Sequence, residues 1–210
     1  MVKDATDSVV KAIIAEKDFL SQLDAKIGDG DHGLNMARGA TAAMEVLEEL
    51  DGEEDLKKVL REIGEAVVMN VGGSAGPLYG AGLIAASRVI DENSSLDAVT
   101  LEKVFGAIVE EIQKRGRAEK GDKTMLDVWI PIHDAFKPEN ATGKSLEEVL
   151  DVAISAARDG VEYTKTIAAK RGRASYLGDK SIGYEDPGAY SSLIIYRTLS
   201  GYWRQLLKEN

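Results

Sequence analysis

The chain has 210 residues, 26 of them basic and 36 acidic, which leaves a formal net charge of −10; cysteine is absent. That length suits one domain with its own core, and the missing cysteines exclude a disulfide framework, a thiolate metal site and a cysteine nucleophile, as fits a reducing cytoplasm. The acidic balance argues against non-specific nucleic-acid binding and against an anionic membrane surface, and no uncharged apolar run approaches the ~20 residues of a membrane-spanning helix.

The N-terminus carries Asp4, Asp7, Glu16 and Asp18, unlike a signal peptide, and a weak helical pattern covers about 5–22. The next segment runs from Leu23 to Asn35 and holds Gly28, Gly30 and Gly33, formally G-x-G-x-x-G. A dinucleotide-binding motif must follow a strand, and this one follows an amphipathic helix. Carboxylates inside the loop would also repel a pyrophosphate unless a cation intervened. A calcium EF-hand fails as well, because position twelve counted from Asp29 is Ala40 and not glutamate. What remains is Asp24, Asp29 and Asp31 at a helix-to-helix turn. Such oxygen ligands suit Mg2+, and three carboxylates suffice for two ions. The competing reading is a solvated acidic turn, with Asp31 as N-cap of a helix that begins near Gly33. His32 either donates to a phosphate or bonds a carboxylate.

Weak helical periodicity covers about 34–50, and Leu56, Val59, Leu60, Ile63 and Val67 form a clear stripe. The second glycine segment, Gly72-Gly73-Ser74-Ala75-Gly76-Pro77-Leu78-Tyr79-Gly80, lies before another helical pattern at about 77–92. Its small residues permit either a close backbone approach to an anion at a helix start or a tight helix–helix turn. After the polar connector Asp91–Ser95, Thr100 is a candidate N-cap for the stripe Leu101, Val104, Phe105, Ile108, Val109 and Ile112. The third segment, Gly116 to Asp127, looks like a broken P-loop. Asp122 interrupts it and no strand precedes it, which rules out a P-loop NTPase. Here Lys123 and Asp122 are expected to form a weak surface pair, with Thr124 capping the helix at about 125–136. His133 in that window is expected to be a partly buried surface histidine.

A polar connector, Pro138–Lys144, precedes the capping box Ser145/Glu148 and the stripe Leu146, Val149, Leu150, Ala153, Ala157 and Val161. Then seventeen residues, Gly172 to Gly188, lack apolar periodicity, a length typical of functional or mobile loops. Arg173 in that loop has the chemistry to clamp phosphate or sugar oxygens, and Asp186-Pro187-Gly188 reads as a turn. The last stripe is Ala189, Leu193, Tyr196, Leu199, Trp203 and Leu206. About eight helices and no convincing period-two stretch predict an all-α single domain over 1–210, a bundle or closed ring of antiparallel helices. Glycine supplies 21 residues, a tenth of the chain against an average of about 7%, and fifteen of them fall in the four segments once Gly39 and Gly82, just beyond the first two, are included.

The segments Asp24…Gly28-Asp29-Gly30-Asp31-His32-Gly33-Leu34-Asn35-Met36, Gly72-Gly73-Ser74-Ala75-Gly76-Pro77-Leu78, Gly121-Asp122-Lys123-Thr124-Met125-Leu126-Asp127 and Gly172-Arg173-Ala174-Ser175-Tyr176-Leu177-Gly178, in that order, resemble the bacterial dihydroxyacetone kinase L subunit. The resemblance implies an eight-helix antiparallel barrel with a glycine-rich nucleotide-binding rim at one end. It implies ADP, or ATP when phosphorylated, held through two Mg2+ ions in a cytoplasmic, phosphotransferase-system-dependent kinase. Asp24, Asp29 and Asp31 match the metal ligands and, with Arg173, the catalytic set. His32, Leu34, Asn35, Ser74, Ala75, Gly116, Met125, Arg173, Asp186, Pro187 and Gly188 fall at nucleotide-site positions. Two partners are implied: a K subunit that holds dihydroxyacetone on its own histidine, and a phosphoryl-carrier M subunit. This length has no room for a K domain, so the free-standing type is expected, with a homodimer left open. A fatty-acid-kinase-type subunit and a nucleotide-loaded adaptor for a transcription regulator are the alternatives. Many members read Gly-Gly-Ala-Ser-Gly in the second loop; the order Ser74-Ala75 moves the hydroxyl by one residue.

Overall fold

The computed structural model describes residues 2–50, 53, 55–91 and 93–209. Of the polar connector Asp91–Ser95, Glu92 lies outside the described residues. Among the described residues there is no strand. The helices are α1 (Val2–Ala15), α2 (Lys17–Ile27), α3 (His32–Glu49), α4 (Leu56–Asn70), α5 (Ala75–Val89), α6 (Ala98–Gly116), α7 (Leu126–Phe136), α8 (Pro138–Ala141), α9 (Leu146–Thr166) and α10 (Pro187–Glu209), with a 3-10 segment at Arg173–Ser181. None of them is long and apolar enough to cross a membrane.

Eight of these helices close a ring. Each packs on the next in the order α1, α3, α4, α5, α6, α7, α9, α10, and α10 returns to α1. The remaining long helix, α2, continues α1 beyond a bend at Glu16 and packs on α3 and α10. The helix expected over about 5–22 is therefore two helices. The bend is shallow, since Glu16 N donates to Ala12 O at 3.2 Å and Leu20 N to Glu16 O at 2.9 Å. The four-residue α8 sits in the expected polar connector, with Pro138 in its first turn.

Local chemistry sets the helix starts. Ser145 and Glu148 form the expected reciprocal capping box on α9. Thr100 is not the N-cap of α6. Asp97 is, because its backbone is extended and its carboxylate accepts from Thr100 N at 2.7 Å, which places Thr100 inside the first turn. Pro131 lies within α7 and has no N–H for the Asp127 carbonyl. At that spot α9 crosses with Gly160, where a Cβ would stand 2.1 Å from the same carbonyl oxygen.

The main apolar core fills the ring and includes the predicted stripes of α4, α6, α9 and α10, and a small second cluster joins Ile27, Ala169 and Ala174. Phe105 on α6 gathers Phe136, Tyr196, Trp129 and Trp203 at centroid distances of 5.2, 5.7, 6.0 and 6.4 Å. It lies roughly 16 Å along α6 from Gly116, at ~1.5 Å per residue, so the aromatic packing occupies the barrel away from Gly116. An up-and-down ring places alternate connections at one end. The connections α2–α3, α4–α5, α6–α7 and α9–α10 are the four glycine-rich segments, and they meet at the end where Gly116 lies.

Candidate functional site

Those four connections surround a cleft of about 230 Å³. Because each leads into a helix, the starts of α3, α5, α7 and α10 all sit at the rim, with the unpaired N–H groups and positive dipole ends that favour anions.

The acidic part comes from the first turn. Asp24 is in the last turn of α2 and is only 9% exposed, whereas Asp29 is open to solvent and Asp31 half-buried. Gly30 adopts φ +78°, a left-handed conformation that glycine takes without cost, and it folds the turn back on α2. As a result one carboxylate oxygen from each of Asp24, Asp29 and Asp31 lies within 4.8 Å of the other two. Asp24 Oδ2 accepts from His32 N at 3.2 Å, so Asp24 caps the start of α3 from the preceding helix, whereas Asp31 makes no side-chain cap. The solvated-turn reading is thus wrong for Asp24, which is buried. Three hard oxygen donors with no nitrogen or sulfur among them fit a hard divalent cation such as Mg2+.

Basic groups answer this cluster sparingly. Arg173 Nη1 lies 2.8 Å from Asp29 Oδ2. Arg171 stands 3.5 Å from Asp122 and donates to Arg117 O. Lys123, the third basic residue at the cleft, donates to the Thr164 and Tyr184 carbonyls. The basic groups are already engaged while Asp24, Asp29, Asp31 and Asp186 face the same space. A polyanion enters such a cleft only together with cations.

His32 joins the turn to α10. Its Nε2 is 2.9 Å from Ser191 Oγ, and Ser191 Oγ is 2.8 Å from Tyr79 Oη. Tyr79 Oη also lies 2.7 Å from Ser192 Oγ and donates to Gly188 O at 3.0 Å. The buried Tyr79 hydroxyl therefore ties α5 to α10 beneath the cleft, and Ser191 carries the link on to His32 of α3. Burial pushes the His32 imidazole below its ordinary pKa, against the opposing pull of Asp24 and Asp31. Burial likewise pushes the Asp186 carboxyl up to about 7, although its Oδ2 accepts from Ala189 N at 2.7 Å and caps α10. Asp186-Pro187-Gly188 is the expected turn, with Pro187 as the first helical residue.

The cleft collects nearly every residue expected at it. Asp24, Asp29, Asp31, His32 and Asn35 line it from the first segment, and Ser74 and Ala75 from the second. Gly116, Met125, Arg173, Asp186, Pro187 and Gly188 complete the expected set. Leu34 falls outside. It is 46% exposed, because two residues beyond His32 the helix has turned it away from the cleft. Ser74 occupies the N-cap position of α5 without making a side-chain cap. His133 is part-buried against Glu102 at 3.2 Å, as expected of a surface histidine.

The third segment departs from expectation. Lys123 and Asp122 are not a surface pair: they are 1% and 7% exposed. Asp122 faces Lys170 and Arg171 at 3.3 and 3.5 Å, and Lys123 points inward. Thr124 does accept from Leu126 N at 3.2 Å, but the loop is organised by the buried Asp127, which accepts from Gly121 N and Thr124 N. Lys123, Thr124 and Arg171 also line the cleft. The one signal for Lys123 and Thr124 was their place in a glycine-bounded segment, Gly116 to Asp127, that resembles a broken P-loop.

The DAK2 domain matches residues 26–201. The chain is 42% identical over 183 residues to the "PEP-dependent dihydroxyacetone kinase 1, ADP-binding subunit DhaL" of Listeria innocua, covering 87% of this chain and 86% of that one. It is 38% identical over 185 residues to the "PEP-dependent dihydroxyacetone kinase, ADP-binding subunit DhaL" of Escherichia coli, covering 88% of each. The mouse "Triokinase/FMN cyclase" is 33% identical over 193 residues, but there the match takes up only 33% of the longer protein. Among solved structures, the dihydroxyacetone kinase of C. freundii superposes with a TM-score of 0.73 at 24% identity; 96% of this chain matches 34% of that one, which establishes the shared fold.

Proposed function

The chain belongs to the DAK2-domain family, and on that premise we propose that it is the ADP-binding subunit of a dihydroxyacetone kinase. In this reading it relays a phosphoryl group from a phosphorylated carrier subunit M, through its bound nucleotide, to dihydroxyacetone held on a subunit K. The observation that carries the reading is the convergence of Asp24, Asp29 and Asp31 with Arg173 in one cleft, in a chain that matches named ADP-binding subunits over most of both lengths.

Asp24, Asp29 and Asp31 would hold Mg2+, two ions in the fullest form of the reading. When bound, the metal neutralises phosphate charge and orients the phosphates for in-line transfer. Every other contribution is the chain's own. The starts of α3, α5 and α10 present N–H groups to the nucleotide's anionic end. Asn35 is 5% exposed and packs against Gly72, so its amide is held rigidly at the cleft wall. Met125, Leu78 and Ile112 supply an apolar surface on the α6–α7 side that suits a base or ribose. Arg173 pairs with Asp29 and is 64% exposed at its side chain, so it is free to turn toward a phosphate that competes for it. No nucleophile is needed from this chain, because acceptor and donor groups belong to the partners.

Native mass spectrometry of the purified chain tests the reading: one ADP with Mg2+ is expected, and glycerone phosphate formation only once K and phosphorylated M are added. Protein that takes up no nucleotide in millimolar Mg2+ refutes it.

A further inference from the structure

Lys123 is 1% exposed, although a lysine is almost never fully buried without a partner that answers its charge. Its backbone is at φ +61°, in the left-handed region that costs a non-glycine residue strain. The cause is on either side of it. Asp127, with no exposed surface, accepts from Gly121 N at 2.6 Å and from Thr124 N at 2.9 Å, and so pins the chain before and after Lys123. Held this way, the ammonium points into the protein and donates to two carbonyl oxygens, those of Thr164 and Tyr184.

Those two carbonyls are far apart in sequence and adjacent in space. Thr164 is in the last turn of α9, where a carbonyl lacks a helical donor and a cation is favourable. Tyr184 stands two residues before Asp186, whose turn opens α10. Between them runs the whole loop that carries Arg173. We infer that Lys123 is a positioning residue whose buried ammonium joins the two feet of the Ile167–Asp186 loop and thereby fixes Arg173 and the Asp186–Gly188 turn at the cleft. This use of the loop rests on the functional reading above; the joining of its feet does not.

Neighbouring contacts run the same way. Lys170 N donates to Asp122 O at 3.1 Å, and the Asp122 carboxylate faces Lys170 and Arg171. Gly183 N donates to Lys165 O at 2.8 Å and Asp186 N to Thr164 Oγ1 at 3.0 Å. The Gly121–Asp127 segment thus works as a wedge from the neighbouring connection. Lys123 is the part of it that reaches both feet at once, buried beneath the more open pair of Lys165 Nζ and Glu185 Oε1, which joins the same feet at 2.7 Å. The bland alternative is a lysine that merely contributes to core stability.

The two are separated by Lys123→Met, which keeps the stem but removes the charge and the donors. Val59→Ala, a buried residue on α4 away from the cleft, serves as a control for general destabilisation. Trypsin has exposed sites in the loop at Lys170, Arg171, Arg173 and Lys180. In chelator-stripped protein, Lys123→Met is expected to be cut in this loop about tenfold faster or more than the parent, as for a segment released into local opening. In Mg2+ its ADP dissociation constant is expected to rise by about tenfold, the effect of losing hydrogen bonds from a charged donor. Val59→Ala is expected to show neither change, and Lys123→Arg to restore part of both. Unchanged loop cleavage in Lys123→Met, or equal acceleration in Val59→Ala, overturns the inference. If Lys123→Met does not fold, hydrogen exchange on the parent decides: slow exchange at Gly183, Asp186 and Lys170 supports joined feet, and exchange at open-loop rates overturns them. A parent chain without affinity for ADP ends the functional reading but leaves the cleavage result to decide the role of Lys123.

Discussion

Replacing Gly33 by alanine is the sharpest test of how the acidic cluster is assembled. A Cβ at this position would stand 1.9 Å from the Lys17 carbonyl oxygen, 2.7 Å from Ser21 Oγ and 2.8 Å from Ser21 N. Two of these three atoms, the nearest included, are backbone, so turning the Ser21 side chain aside does not relieve the clash. The closest approach real Cβ atoms keep is 3.0 Å, so α2 and α3 must separate locally by about 1.1 Å. Alanine gains about 1 kcal/mol of helix propensity over glycine, and forcing a methyl into packed surroundings costs about 1–3 kcal/mol, occasionally more. With backbone on the opposing side the upper part of that range applies, for a net loss of about 1–2 kcal/mol. At about 2–4 °C per kcal/mol for a chain of this size, the melting temperature of chelator-stripped protein should fall by roughly 2–8 °C. The separation also pulls His32 N from Asp24 and spreads the three carboxylates, so Mg2+ affinity measured by titration calorimetry should fall by about tenfold. Gly73→Ala is the contrast, since nothing lies within 4 Å of its absent Cβ and its only cost is the backbone strain of φ +66°. If Gly33 instead served close approach of a phosphate, the variant would lose nucleotide affinity while keeping its metal-free melting temperature. That result, or unchanged Mg2+ binding, would refute the packing argument.

Tyr79→Phe should lower the melting temperature by several degrees, because Ser191, Ser192 and Gly188 lose a shared buried partner at a cost of about 1–3 kcal/mol. An unchanged thermal melt would mean that water replaces the hydroxyl. Asp186 makes metal-free stability depend on pH. Its folded carboxyl is raised from 3.8 to about 7, so its contribution is fully present below the unfolded value and is lost as pH rises toward 7. Asp186→Asn keeps an acceptor for Ala189 N and removes the titration. Urea midpoints measured in chelator should therefore fall less between pH 4 and 7 in the variant than in the parent, and parallel curves for the two would count against a buried Asp186.

The closed ring was legible because its evidence is repetitive. Stripes such as Leu101, Phe105, Val109 and Ile112 recur at three and four residues, and each turns out to face one core. Connection order did the rest: in an up-and-down ring every second connection lies at the same end, so four glycine-rich links between alternate helix pairs had to meet. Details that depend on a single backbone angle were not legible. The bend at Glu16 leaves the hydrogen-bonding nearly continuous and the apolar pattern undisturbed. The choice of Asp97 over Thr100 as cap rests on an extended backbone at Asp97, and either residue type suits the role.

The glycines show where composition stops informing chemistry. Clustered at a rim, they suggest backbone brought close to phosphate, yet the structure divides them by a property that sequence does not carry. Gly33 and Gly76 meet backbone carbonyls at 1.9 and 2.3 Å, and Gly64 and Gly80 face each other across α4 and α5; these exist so that helices can touch. Gly172, Gly178 and Gly183 have open space around them and positive φ, so they exist to turn the chain that carries Arg173. The distinction is set by which helix crosses at that residue, a tertiary fact. Lys123 teaches the same from the opposite direction. A lysine beside an aspartate reads as a surface pair, and only the position of two distant carbonyls turns it inward. The site therefore depends on close helix crossings as much as on its ligands, and a substitution that opens a crossing will disturb metal and nucleotide together without touching either.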